Sequence, residues 1–231
     1  MKKYKCVLFD LDHTLWDYDT NSREVLGELY EHYQLQSKGV ERFEDFVTEF
    51  NKVNTSLWAL YDRGLVDSSV IRQERFKQIL GAFNAYEVKL SEELSENYLF
   101  GCPKKCNLIP DAIDILEYLR GRYTLAVVTN GFEEIQHMKL TSGNLTHYFD
   151  HVVTSQKAGY KKPAKEIFEY ALSLNGAACH EAVMIGDNPV TDIGGARNAC
   201  IDAVLFNPAQ IDYQVDVHYE IKALNELRQI L

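Results

Sequence analysis

Lys5-Cys6-Val7-Leu8-Phe9-Asp10-Leu11-Asp12-His13-Thr14 is the stretch that decides the fold of this chain. A run that is apolar from Cys6 to Phe9 reads as a strand buried on both faces, and such strands belong to parallel sheets covered by helices. The run stops abruptly on a carboxylate. Asp10 and Asp12 are two residues apart, so on extended backbone they fall on the same side. Neighbouring carboxylates repel, and one tends to keep its proton unless a cation intervenes. One can then act as nucleophile while the other handles protons. Taken alone, the pair also fits two aspartates capping a turn.

Similar runs recur at 123–129 (YTLAVVT), 151–154 (HVVT), 182–185 (AVMI) and 203–206 (AVLF). Between them, helical periodicity covers 112–120, 133–142, 165–174 and 192–199. Strands alternating with helices predict an α/β fold, a Rossmann-like parallel sheet with right-handed crossovers. Residues from about 20 to 100 break this rhythm. Apolar residues there recur at three- and four-residue spacing over 22–33, 42–61, 68–83 and 92–100, as with Phe43, Phe46, Val47 and Phe50. The expectation is a core of residues 1–16 and 105–231 with an all-helical insert at 17–104; Pro103 and Pro110 mark the return to the sheet.

In open α/β sheets, ligands bind beyond the carboxyl ends of the strands. Three more polar clusters fall there. Thr129-Asn130-Gly131 offers a hydroxyl and backbone amides suited to phosphoryl oxygens, although a helix cap reads the same way. Lys161-Lys162-Pro163 offers an ammonium that would neutralise the carboxylates. Asp187 and Asp192, in Gly186-Asp187-Asn188-Pro189-Val190-Thr191-Asp192, could face a hard cation such as magnesium, which prefers oxygen ligands. Each cluster alone is ambiguous; their succession in the order carboxylates, hydroxyl, lysine, carboxylates is what points to chemistry.

Composition narrows the rest. The 231 residues carry 34 acidic against 24 basic side chains, a net charge of −10, which argues against a nucleic acid polymer as partner. A small phosphorylated substrate remains compatible, since a few local donors can hold it. Five dispersed cysteines without a CxxC spacing read as reduced thiols. The chain starts with lysines, but the apolar run behind them is too short for a leader or a membrane span. The expectation is a cytoplasmic protein with no membrane partner.

The ordered set resembles the haloacid dehalogenase superfamily, whose four motifs correspond to Asp10-Leu11-Asp12-His13-Thr14, Thr129-Asn130-Gly131, Lys162-Pro163 and Gly186-Asp187 with Asp192. The resemblance implies that Asp10 is nucleophile and magnesium ligand. It implies that Asp12 is general acid/base, with its backbone carbonyl also on the Mg2+, that Asp187 is a direct ligand of the ion, and that Asp192 completes the metal site either directly or through an intervening group. Thr129, Asn130, Gly131 and Lys162 would bind the phosphoryl group, with Thr129 and Lys162 catalytic. The dehalogenase branch lacks a carboxylate at the position of Asp12, so its presence favours phosphoester hydrolysis. The helical insert stands where the family places a cap.

Further segments, Asp10 to Trp16 (DLDHTLW), 53–61 (VNTSLWALY), Arg75-Phe76 and 128–132 (VTNGF), resemble the pyrimidine nucleotidase branch that also takes noncanonical nucleotides. By that resemblance Trp16, Asn54, Trp58 and Tyr61 set substrate specificity, since aromatic rings stack on bases and an amide can read a pyrimidine edge. The alternatives are a sugar-phosphate or phosphoglycolate phosphatase on the same scaffold, and a receiver-like phosphoacceptor. Receivers are roughly half this size and lack such an insert.

Overall fold

The computed structural model describes residues 4–231; the basic start at residues 1–3 lies outside them. In chain order the elements are β1 (Cys6–Phe9), α1 (Tyr18–His32), α2 (Phe43–Asp62), α3 (Ser68–Ala82), α4 (Val88–Gly101), α5 (Ala112–Leu119), β2 (Thr124–Thr129), α6 (Glu133–Ser142), β3 (His151–Thr154), α7 (Ser155–Ala158), α8 (Lys165–Asn175), β4 (Ala182–Gly186), α9 (Gly195–Asn198), β5 (Asp202–Phe206) and β6 (Tyr219–Ile221), with short 3-10 turns between some of them. The chain divides into two compact units, residues 1–18 with 106–231 and residues 19–105.

The first unit is a parallel six-stranded sheet in the order β3-β2-β1-β4-β5-β6. The short run read first in the sequence is thus an inner strand, with β2 and β4 on its two sides. All four of its residues are buried. Cys6 and Leu8 join Ala126, Val128, Met184 and the inner faces of α8 and α9 in one apolar layer. Val7 and Phe9 alternate to the other face, where Phe9 meets Phe149 edge-on at 6.4 Å. The strand order changes direction at β1, and a cleft opens at the carboxyl ends of such strands.

The chain leaves this unit and returns to it through one narrow ribbon. Trp16 pairs antiparallel with Leu108. The Asp17 amide donates to the Asn107 carbonyl at 3.1 Å, and the Ile109 amide to Leu15 at 2.9 Å. Residues 19–105 form a separate bundle of α1 to α4. Its core is aromatic: Phe50 packs on Phe76 at 5.9 Å and on Tyr98 at 4.9 Å. Asp67 caps α3 by accepting from the Ser69 amide at 2.8 Å.

Two departures from the sequence expectations concern the end of the sheet. A sixth strand, β6, exists where none is expected, because a three-residue run with one buried side chain, Ile221, carries no periodicity. The helix expected over 192–199 is instead a wide, π-type turn, Pro189–Gly194, followed by the short α9. Asn188 opens that turn by accepting from the amides of Val190 and Thr191 at 2.9 and 3.0 Å. Among the described residues no helix is long and apolar enough to cross a membrane.

Candidate active site

The ladder between β1 and β4 runs one step past β1: the Asp10 amide donates to the Ile185 carbonyl at 2.9 Å. This fixes the Asp10 side chain just beyond the sheet, where it is buried. Lys162 reaches it from the loop after α7, its Nζ lying 2.5 Å from Asp10 Oδ1 and 2.6 Å from Asp192 Oδ1. The lysine is aimed by Asn130. The Asn130 amide nitrogen donates to the Lys162 carbonyl at 2.9 Å, and the Lys162 backbone amide donates to Asn130 Oδ1 at 2.8 Å. The Asn130 side chain thereby places Lys162.

Asp192 is held from both sides, since its Oδ2 accepts from the Asn188 amide at 3.0 Å. Gly186 makes room for it: a Cβ there would lie 2.3 Å from Asp192 Oδ2. Asp187 accepts from the Thr14 hydroxyl at 3.1 Å. Thr129 accepts from the Gly131 amide at 3.0 Å, folding the loop after β2 into a tight turn.

Three carboxylates thus surround one ammonium. Burial opposes the charge on Lys162, but Asp10 and Asp192 outweigh it and raise the lysine further, so it is protonated. Burial pushes the Asp10 carboxyl well above the usual range, against the pull of Lys162 and with the push of Asp192 and Asp187. The Asp187 carboxyl is lifted to about 7 by burial and then by the Asp192 charge. When all three ionise, negative charge is in excess, a mismatch that a cation would remove. Asp10, Asp187 and Asp192 can each place one oxygen within 4.8 Å of the others. An all-oxygen donor set of this kind suits a hard divalent cation such as magnesium. The Asp12 carboxylate is not part of that group.

Asp12 has partners that the sequence reading does not include. Lys139 Nζ, on α6, lies 2.6 and 2.7 Å from its two oxygens, and Gln136 Nε2 lies 3.4 Å from Oδ2. Gln136 and Lys139 are buried together with Ile135 and Leu140 on one face of α6. That is the missed signal, a glutamine and a lysine on the apolar stripe of the helix that follows the threonine motif.

The expected specificity residues fall in different places. Trp16 is fully buried, and its ring lies 4.6 Å below the Lys139 ammonium. There it acts as a floor under Lys139. Asn54, Trp58 and Tyr61 lie on α2 in the helical unit. Trp58 is half-buried and edge-on to buried Tyr61 at 5.3 Å. Asn54 Oδ1 accepts from buried Arg75 at 3.1 Å.

Comparison with known proteins agrees with this geometry. The family model described as haloacid dehalogenase-like hydrolase matches residues 7–206. The chain is 30% identical over 232 residues to the pyrimidine 5'-nucleotidase YjjG of Escherichia coli, covering 99% of this chain and 98% of that protein. It is 29% identical to the pyrimidine 5'-nucleotidase PynA of Streptococcus pneumoniae, with 99% and 95% covered. Among solved structures, the putative HAD-hydrolase YfnB of Bacillus subtilis, bound to magnesium, superposes with a TM-score of 0.88 at 28% identity, covering 100% of this chain and 99% of that one. With Asp10, Lys162 and the Asp187–Asp192 pair gathered at the carboxyl end of a parallel sheet, the chain belongs to the haloacid dehalogenase-like hydrolases.

Proposed function

We propose that this phosphatase is a magnesium-dependent 5'-nucleotidase acting on pyrimidine nucleoside monophosphates, noncanonical ones included, through a phosphorylated Asp10. The observation that carries the chemistry is the position of Asp10, buried at the end of β1 within bonding distance of Lys162 and beside Asp187 and Asp192. A carboxylate held there can attack phosphorus in line while charge neutralisation does most of the work.

Asp10 Oδ bonds to phosphorus as the bond from phosphorus to the nucleoside 5' oxygen breaks, and Asp12 gives its proton to that oxygen. Water then attacks the same phosphorus, the bond to Asp10 breaks, and the water's proton passes to Asp12. Lys162 and the Thr129 hydroxyl hold the phosphoryl oxygens, helped by the backbone amide of Gly131. Asp10, Asp187 and Asp192, with the backbone carbonyl of Asp12, would hold magnesium, which when bound supplies the positive charge that lets an anionic carboxylate meet an anionic phosphate.

The choice of a pyrimidine rests on the two nucleotidases to which the chain is similar over nearly its whole length. Asn54, Trp58 and Tyr61 of the helical unit are the side chains assigned to it. The test is a panel of UMP, dUMP, 5-substituted pyrimidine monophosphates, purine monophosphates and sugar phosphates, each with and without magnesium. The expected result is the highest kcat/KM on the pyrimidines and no turnover after chelation. A clear preference for a hexose phosphate or phosphoglycolate would replace the nucleotidase reading. Persistence of activity in Asp10→Asn would remove the nucleophile.

A further inference from the structure

Asp12 must move a proton twice per cycle, so its oxygen has to stand within hydrogen-bond reach first of the leaving oxygen and then of water. It is not held by the turn that carries it. His13 has a left-handed φ of 62°, and the bonds of that turn run through backbone: Leu15 and Trp16 both donate to the Leu11 carbonyl at 2.9 Å. What fixes the carboxylate is α6. The Lys139 ammonium contacts both oxygens of Asp12 at 2.6 and 2.7 Å and sets the plane of the group. Lys139 itself is only 4% exposed. Its ammonium lies 4.6 Å from the centre of the Trp16 ring and 5.7 Å from that of Tyr18, so an aromatic floor supports the charge.

Gln136 completes the arrangement one turn back, and it is wedged in place. A Cβ on Gly131 would lie 2.0 Å from its Nε2, so the glycine of the threonine motif is the space that Gln136 fills. Gln136 Oε1 is buried without a partner among the described residues, a cost accepted at this position. A buried lysine with no substrate contact required of it, spending two donors on one carboxylate, is more than packing needs.

We infer that Lys139 is a positioning residue for the proton transfers of Asp12, with Gln136 and Trp16 as its supports. This rests on the reading of Asp12 as acid/base. Lys139 holds the carboxylate in one orientation through both half-reactions, and removing it leaves Asp12 present but turned away. Misplacement of about 1 Å at a reacting group can cost on the order of a hundredfold in rate.

The experiment uses Lys139→Met, which keeps the volume over Trp16 and removes the charge, beside Asp12→Asn and wild type. On a pyrimidine monophosphate kcat falls roughly tenfold to a hundredfold while KM moves by less than about twofold, the split expected when positioning and not binding is lost. On 4-nitrophenyl phosphate, whose leaving group needs no proton, the first turnover stays near the wild-type rate. Phosphorylated Asp10 then accumulates and is seen by acid quench and intact mass, because the water step still needs Asp12. A purely structural lysine would not produce that trapped species. Should the Met variant fail to fold, Lys139→Gln, which keeps one donor, is measured in the same way and falls between the two. A folded variant with wild-type kcat, or a loss carried by KM alone, overturns the inference. If Asp12→Asn is fully active the acid/base reading itself is gone; if Asp12→Asn is dead and Lys139→Met is not, only the role of Lys139 is gone.

Discussion

Gly186 shows how little room the acidic cluster leaves. Its missing side chain is filled by the carboxylate of Asp192, which Lys162 and the Asn188 amide hold in place. Gly186→Ala should therefore destabilise the protein by about 1–3 kcal/mol, the usual cost of forcing atoms into a packed site. It should also weaken magnesium binding, and urea unfolding with and without the ion would show both effects; an unchanged midpoint in both conditions would refute the steric argument. Asp187 gives a pH dependence whose sign can be worked out. Its carboxyl ordinarily titrates near 3.8 and is lifted to about 7 here, by burial first and the Asp192 charge second. The folded chain thus binds a proton that the unfolded chain has lost, so this contribution to stability is full below 3.8 and disappears as pH rises to about 7. In chelator, stability should fall between about pH 4 and pH 7, and magnesium should restore more at the upper end, because its ligands must be ionised. Thermal melts across that range, with and without the ion, would settle it; a larger magnesium effect at the acid end would contradict the cluster's assignment.

At the scale of elements, the aromatic bundle of the helical unit contains one charge. Arg75 is buried, its guanidinium 4.5 Å from the Tyr98 ring and 5.5 Å from those of Phe50 and Phe76. No carboxylate pairs with it among the described residues, and its Nε has no acceptor there. What it has is Asn54. A double-mutant cycle of Asn54→Ala with Arg75→Met should give a coupling of about 1.5–3 kcal/mol, as for a hydrogen bond to a charged group. Coupling near zero would mean that the rings alone hold the guanidinium. The helices of this unit were readable because their apolar residues recur at helical spacing, and β1 to β5 because each is a continuous apolar run. β6 was not, having one buried residue in three. The wide turn at Pro189–Gly194 was not either, since its shape comes from the Asn188 side chain capping two amides and not from any period. In the site, Asp10, Asp187, Asp192 and Lys162 stood out because each ends a strand or follows one. Lys139 hid because a lysine on a helix normally reads as solvated, and only tertiary packing turns it inward.

Across the whole molecule, the insert is attached at a single seam. The passages at 15–17 and 107–109 are paired with each other inside the first unit, which leaves residues 18 and 106 close together. Replacing residues 19–105 by a short Gly/Ser link should leave a sheet unit that folds cooperatively, because closing a short loop costs little and no strand is lost. Its far-UV spectrum and a single unfolding transition would check this, and an unfolded product would show that the sheet unit depends on the helical unit to fold. The sheet order has a further consequence for synthesis. β1 is made first, yet its neighbours on either side are β2, beginning at Thr124, and β4, beginning at Ala182. While a ribosome builds the chain, Cys6–Phe9 waits unpaired through the whole of the helical insert, which can already fold on its own local contacts. The segment that ends on Asp10 is thus the sticky part of the nascent chain, and nascent chains halted before Ala182 should engage holding chaperones that released full-length protein does not.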